Sequence, residues 1–413
     1  MARSATELEH AAILAFREAY GEAPAVVARA PARVELLGNH TDYNGGLVLA
    51  AAIDRFTAVA GRPRSAKRGR VHSLGFGDET FQVDALEKGD GGSWGRYVRG
   101  VLWSLGQSFE IRRGFDAAIV GDVPPGAGIS SSASLQASFA SFLIAAGVVD
   151  DPSTLEDAPI TATHADERRL DLARILQRSE NEFVGVSSGL LDQFTVLFGR
   201  AGWALTLDCR TLEFKRLPLG NPPPTIIVCD SKTARKLADG MYNQRRAECE
   251  TVVSYFQKLR GTENVRWLRD VSLEDLNDAW DKLDPVGRVR ARHILHENQR
   301  VAAGAKALTG GDVTTFGRLM NESHASSRDD FTNSSPALDA LIESAEESPG
   351  FLGGKLSGAG WAGCTVNLVK AEVADAFAES IAAGYARRTG VVPDVHVCRA
   401  ADGARGTVLT SGS

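Results

Sequence analysis

The chain has 413 residues and carries 46 Lys and Arg against 52 Asp and Glu, a net charge of −6 with neutral histidines. That length suits one large domain or two of ordinary size, and a composition of 43% hydrophobic and 24% charged residues excludes a mainly disordered chain. The negative balance argues against nucleic-acid binding driven by a basic field, and no apolar run reaches the ~18–20 residues of a membrane span, so neither partner is expected. In chain order, residues 5–20 read as an amphipathic helix, with Leu8, Ala11, Ala12, Leu14 and Phe16 set among Glu and Arg. Glu7, Glu9, Glu18 and Glu22 replace the cationic head that a signal peptide would need. Short strands follow at 26–28 and 34–37, and Gly45–Gly46 turns the chain into a strand at 47–53. Residues 115–120 form a further strand that ends in the loop 121–128. Leu135, Phe139, Phe142 and Leu143 then recur at helical spacing. Asn221, Pro222, Pro223 and Pro224 make the clearest linker-like break, before a buried strand at 225–229. Helices are expected around 242–260, 285–308 and 336–346, and a second glycine cluster, 353–363, leads into a strand at 365–369. The result is an α+β chain of two lobes, 1–212 and 213–413. Cys209, Cys229, Cys249, Cys364 and Cys398 are odd in number and never spaced CxxC. Reduced thiols in a cytoplasmic protein are therefore expected rather than a metal knuckle or a disulfide framework.

Four constellations carry chemistry. The first runs from Arg33 through Glu35, Gly38, Asn39, His40 and Asp42 to Gly46. It crowds hydrogen-bonding groups onto a strand end and turn. Asp42 can accept two hydroxyl hydrogen bonds and Asn39 can donate and accept, which suits a neutral polyol such as a sugar; ordinary turn chemistry explains the same residues. The second, Gly121 to Ser134, joins a strand to a helix through Pro124, Pro125, Gly126, Gly128, Ser130, Ser131 and Ser132. Its glycines admit an anion close to the backbone, and the helix start offers free N–H groups. It is not the GxxxxGK[ST] phosphate loop, and one serine would suffice as a helix cap; three in a row favour phosphate binding. The third, Gly358, Gly360 and Gly363, matches GxGxxG, but a strand follows it. That order is wrong for the dinucleotide fingerprint, leaving a loop that abuts another backbone or a phosphate. In the fourth, Gly189 and Asp192 interrupt an apolar stretch. A carboxylate there is costly to bury without purpose, and Asp192 could deprotonate a hydroxyl or cap a helix. Glu180 could bind Mg²⁺ or lie on an exposed helix face.

Taken together and in this order, the motifs resemble the galactokinase family of the GHMP small-molecule kinase superfamily. Residues 33–51 resemble its sugar-site signature, 124–134 its phosphate loop and 353–363 its third motif. Trp94, Tyr97, Val98, Gly100 and Val101 resemble the segment lining its adenine pocket. Tyr242, Arg245 and Arg246 resemble its Tyr-x-x-Arg-Arg element, and the stretch from Ser323 and His324 to Asp339 a further family segment. The resemblance spans roughly residues 24–370. It implies a two-lobed GHMP kinase fold, with an N-terminal ribosomal-protein-S5-like lobe and a C-terminal α+β lobe, and ATP and sugar meeting between them. The implied reaction moves the γ-phosphoryl group of ATP to an anomeric hydroxyl. Carried over by position, Asp192 is the acid/base and Arg33 its electrostatic partner. Ser132 and Glu180 match the Mg²⁺ site. Asn39, His40, Asp42, Gly189 and Tyr242 fall at sugar contacts, and Trp94, Gly126, Gly128, Ser130, Ser131 and Ser132 at nucleotide contacts.

The sequence departs from the family at Ala32 for Gly, Glu35 for Asn, Asn39 for Glu and Trp361 for Phe. Because residues 33 and 35 share a strand face, Glu35 is expected to pair with Arg33. The Glu usual at position 39 helps hold the sugar's 6-hydroxyl, so Asn39 is expected to hold it more weakly and to widen tolerance at C6. The readings are a galactose kinase, a 1-kinase for arabinose, fucose, an amino-sugar or a uronic acid, and a sugar sensor without catalysis. The sensor reading requires a damaged loop or acid, and the serine run and Asp192 are intact.

Overall fold

The structure is a computed structural model that describes residues 3–87, 94–149, 163–186, 188–233 and 238–410. Helix α1 (Ala5–Tyr20) opens the chain. Ser4 and Glu7 cap its start reciprocally, and Gly21 closes it in the left-handed region. The first half of the chain then supplies β1 (Val26–Leu37), β2 (Leu47–Arg64), β3 (Arg68–Ser73), β4 (Gly77–Gln82), α2 (Gly95–Gly106), β5 (Gly114–Gly121), α3 (Ser131–Ala145), α4 (Thr163–Arg178), α5 (Leu191–Phe198), β6 (Trp203–Asp208) and β7 (Phe214–Pro218). The second half supplies β8 (Thr225–Asp230), α6 (Ala238–Arg260), α7 (Leu273–Asp278), α8 (Pro285–Thr309), α9 (Val313–Ser326), α10 (Pro336–Glu346), β9 (Phe351–Leu356), β10 (Cys364–Val369), α11 (Ala374–Thr389), β11 (Asp394–Cys398) and β12 (Arg405–Val408).

One sheet runs β12-β1-β2-β5-β3-β4, with the β6–β7 hairpin joined to the first residues of β2; the other runs β11-β8-β10-β9. The two strands expected at 26–28 and 34–37 are a single twelve-residue strand, bent by an irregularity after Pro31. Proline lacks a donor, so a strand tolerates it where the ladder is already broken. Both faces of the larger sheet are covered, which is why β1 is buried along its whole length and β5 up to its last residue. Val26, Ala28, Val59, Ala117 and Ile119 face the side of α2 to α5. Their neighbours Val27, Ala58, Ala60, Ala118 and Val120 face α1. A third cluster joins the halves: Ala32, Val34 and Leu36 of β1 pack with Ile226, Val228 and Val366 of the smaller sheet and with Phe316 and Met320 of α9.

The division expected at 212/213 falls inside the β6–β7 hairpin, both strands of which belong to the larger sheet. The chain crosses to the smaller sheet between Pro218 and Thr225, through the proline run. Strand β12 returns to pair with Val26–Arg29 of β1, so residues 405–408 belong to the first lobe.

Candidate active site

Three backbone segments converge where the lobes meet. The first is the turn between β1 and β2, tightened by a 3₁₀ turn at Asp42–Asn44. The second is the glycine–serine loop entering α3, in which Gly126 and Gly128 are left-handed. The third is the turn between β9 and β10. Every residue expected at the site except Trp94 borders the resulting cavity of about 470 Å³. Trp94 instead packs against the core of the first lobe and donates its indole N–H to the Phe76 carbonyl at 3.2 Å. Arg96, two residues on, reaches the cavity. His40, Ser130 and Trp361 are non-glycine residues with φ near +60°, and such strain gathers at sites that the surrounding fold holds fixed.

Asp192 lies in the first turn of α5. Arg33 reaches it from β1, with Nε at 2.7 Å and a terminal nitrogen at 2.6 Å from Oδ1. The remaining guanidinium nitrogen donates to the Gly128 carbonyl at 2.7 Å, which ties the carboxylate to the glycine–serine loop. Ser130 donates to Oδ2 of Asp192, a bond that its left-handed backbone makes possible and that sequence reasoning missed. Each guanidinium nitrogen of Arg33 thus has a partner. Glu35 does not pair with it as expected, because Lys355 of β9 holds Glu35 Oε1 at 2.7 Å. Alternation placed Arg33 and Glu35 on one face correctly, but it could not reveal a buried lysine arriving from 320 residues away.

Asp42 faces the cavity beside Gly189, where a Cβ would stand 1.8 Å from the carboxylate; only glycine fits. Burial, with the nearby charges of Glu35 and Asp192, pushes Asp42 up to about 7. Glu180 sits in a π-helical turn, Ser179–Val184, and accepts from Ser188 Oγ at 2.9 Å and Gln193 Nε2 at 2.5 Å. Burial first, then the Asp192 charge, pushes it up to about 7, against the hydrogen bonds from Ser188, Ser132 and Gln193. His40 is held neutral by burial, down to about 3. It therefore donates from Nε2 to the Ala359 carbonyl at 2.9 Å and accepts the Tyr43 hydroxyl at Nδ1, at 2.8 Å. Its ring lies 5.2 Å from that of Tyr242.

Asn39 is fully buried and both atoms of its amide bond to the protein. Nδ2 donates to the Gly358 carbonyl at 2.9 Å, and Oδ1 accepts from Asn333 at 2.8 Å and Ser327 at 3.3 Å. The GxGxxG loop thus abuts other backbone: Gly358 approaches Gly128 so closely that a Cβ would stand 3.1 Å from the Gly128 carbonyl. Sequence reasoning also missed the support beneath the turn. Glu297 of α8, wholly buried, accepts from the Gly38 and Asn39 N–H groups at 2.9 and 3.2 Å, from Ser323 Oγ at 2.6 Å and from Arg300 at 2.6 Å. Despite burial, Arg300, His293 and Lys355 hold it down at about 2. His293, one turn earlier, donates to the Asn39 carbonyl at 3.1 Å. The available signal was a His and a Glu four apart on a helix whose other i, i+4 positions are apolar.

The GHMP kinases N terminal and C terminal domains match residues 96–200 and 305–387, and mevalonate kinase, at 16% identity and a TM-score of 0.59, shares the fold. The chain is thus built as a GHMP kinase. The galactokinase galactose-binding signature matches residues 14–63. The chain is 43% identical to the galactokinase of Roseiflexus sp. (strain RS-1), over 94% of either chain. It is 36% identical to that of Clostridium acetobutylicum, over 91% of this chain and 93% of the other. The crystal structure of Lactococcus lactis galactokinase complexed with galactose superposes with a TM-score of 0.87 at 33% identity, over 96% of this chain and 98% of that one. The chain belongs to the galactokinase family.

Proposed function

We propose that the chain is an ATP-dependent galactose 1-kinase that makes galactose 1-phosphate and ADP in the cytoplasm. The observation that carries this reading is the Asp192 carboxylate, clamped by Arg33 between the galactose-binding signature and the glycine–serine loop. Asp192 accepts the hydrogen bond and then the proton of the anomeric hydroxyl. Arg33 balances its charge and keeps base and loop in register. Ser130 occupies the second carboxylate oxygen until the sugar hydroxyl takes its place. Asp42, His40 and Tyr242 frame the sugar, while the glycine loop and the open N–H groups of the first turn of α3 receive the phosphates. Phosphoryl transfer asks the protein for positioning and charge balance more than for covalent chemistry. Its five cysteines are all free, as a reducing compartment keeps them.

Among the described residues no group of three His, Cys, Asp or Glu could hold a metal alone. Ser132 and Glu180 give two hard oxygens, hydrogen-bonded to each other, and Mg²⁺ is typically held by one or two protein oxygens together with substrate phosphates. The donors fit, and Mg²⁺ bound there would neutralise the triphosphate. The test is a coupled ADP-release assay over galactose, arabinose, fucose, galactosamine and galacturonate, with the position of the phosphate read by NMR. Galactose should be the best substrate, phosphorylated at C1; strong turnover of another sugar without galactose activity would replace this reading. Asp192→Asn should lower kcat by roughly 10²–10⁴ while galactose still raises the Tm.

A further inference from the structure

The residue expected to read the sugar's hydroxyl with a side-chain oxygen, Asn39, has no free acceptor, because Asn333 and Ser327 both donate to its Oδ1. Two turns of the β1 pleat earlier the strand carries a carboxylate that has one. Glu35 borders the same cavity as Arg33 and Asp42 and is 4% exposed. Lys355 binds only its Oε1, at 2.7 Å, and donates a second hydrogen bond to the Leu356 carbonyl at 2.9 Å. Among the described residues Oε2 has no hydrogen-bond donor. A carboxylate on a side chain this deeply buried normally has both oxygens hydrogen-bonded. Here the open oxygen belongs to a side chain that borders the cavity, where a ligand can complete its hydrogen bonds.

We propose that Glu35 is a sugar-binding residue, its Oε2 accepting a hydrogen bond from one hydroxyl of the bound sugar while Lys355 holds the carboxylate in place. The proposal rests on the sugar-kinase reading above. It changes the meaning of two departures: with Glu at 35 on β1 and Asn at 39 in the turn that follows, the carboxylate is moved back along the chain rather than removed. The expected weakening at Asn39 is then offset, because a hydroxyl donating to a carboxylate makes a stronger bond than one donating to an amide. A group so held discriminates sharply, since a sugar lacking that hydroxyl would leave Oε2 without a donor.

The experiment is a cycle between residue and substrate. Initial rates are measured for wild type, Glu35→Gln and the double variant Glu35→Gln with Lys355→Met, on galactose and on its 2-, 3-, 4- and 6-deoxy derivatives. The double variant leaves no unpaired lysine and covers the case in which the single variant fails to fold. Removing the charged acceptor should raise the galactose KM roughly 10- to 100-fold and leave the ATP KM within about two-fold. One deoxy sugar should be poor for wild type and lose nothing further in the variant. A folded variant with unchanged galactose KM, or with every deoxy sugar losing as much as in wild type, overturns the proposal; a role confined to folding would show no coupling to a single hydroxyl. If wild type turns over a different sugar, the kinase assignment to galactose fails by itself, and the same cycle on the deoxy derivatives of that sugar still decides Glu35.

Discussion

Asp42 illustrates how a single side chain can be set by its surroundings rather than by its neighbours in sequence. The motif shows a carboxyl in a turn; the fold buries it against Gly189 and within reach of two other carboxylates, which pushes it up to about 7. A carboxyl raised in the folded state keeps a proton that the unfolded chain has already released, so its contribution to stability falls as pH rises from about 4 through about 7. Asp42→Asn keeps a neutral group of similar shape at every pH. The unliganded variant should match wild type below about pH 4 and exceed its Tm by a margin that grows up to about pH 7, while losing the stabilisation that galactose gives wild type. Thermal unfolding across that range checks both, and a Tm difference independent of pH would contradict the burial argument. The same logic separates Arg33, whose partner Asp192 was legible from the family pattern, from Glu35, whose partner was not. Local alternation says which way a side chain leaves the strand, and only the packed second lobe says what it meets.

At the scale of elements, α8 is the part that sequence reading undervalued. Its range was expected within a residue or two, because apolar residues recur at helical spacing from a proline at its first turn. Its work was not expected. It carries His293 and Glu297 into the base of the β1–β2 turn, where they satisfy the Asn39 carbonyl and the Gly38 and Asn39 N–H groups. A buried carboxylate pinned by an arginine is strongly destabilising to break, at roughly 3–5 kcal/mol. Glu297→Gln should lower unfolding free energy by about that amount and raise the sugar KM, as read by urea unfolding and initial rates. Glu297 is held low, so its contribution is present above the ordinary carboxylate range and is lost as pH falls through about 4.5 toward 2. The wild-type advantage over Glu297→Gln should therefore shrink in acid. The α3 loop gives the complementary case: its glycines and serines announced a phosphate loop, but the left-handed Ser130 that bonds Asp192 is a backbone fact that composition does not carry.

Across the whole molecule, the two lobes are not successive blocks of sequence. After β11 the chain crosses back to the first lobe, where β12 covers the edge of β1. Ala401 and Ala404 enter two of its core clusters, and the N–H groups of Gly403 and Ala404 donate to the Gly199 and Val196 carbonyls at the end of α5, the helix that bears Asp192. Deleting residues 399–413 should lower the Tm by roughly 5 °C or more and reduce kcat more than the ATP KM; a truncated chain with wild-type kinetics would show that this tail does not support the site. From the sequence by itself came the periodic helices, the apolar strands, the order of the motifs and the family they define, because those depend on spacing along the chain. The tertiary structure decided the pairing of Glu35 with Lys355, the burial of the Asn39 amide, the support from Glu297 and the return of β12. Each of these joins residues that are hundreds of positions apart, and hydrogen-bond partners at that separation are fixed by packing, which no local pattern encodes.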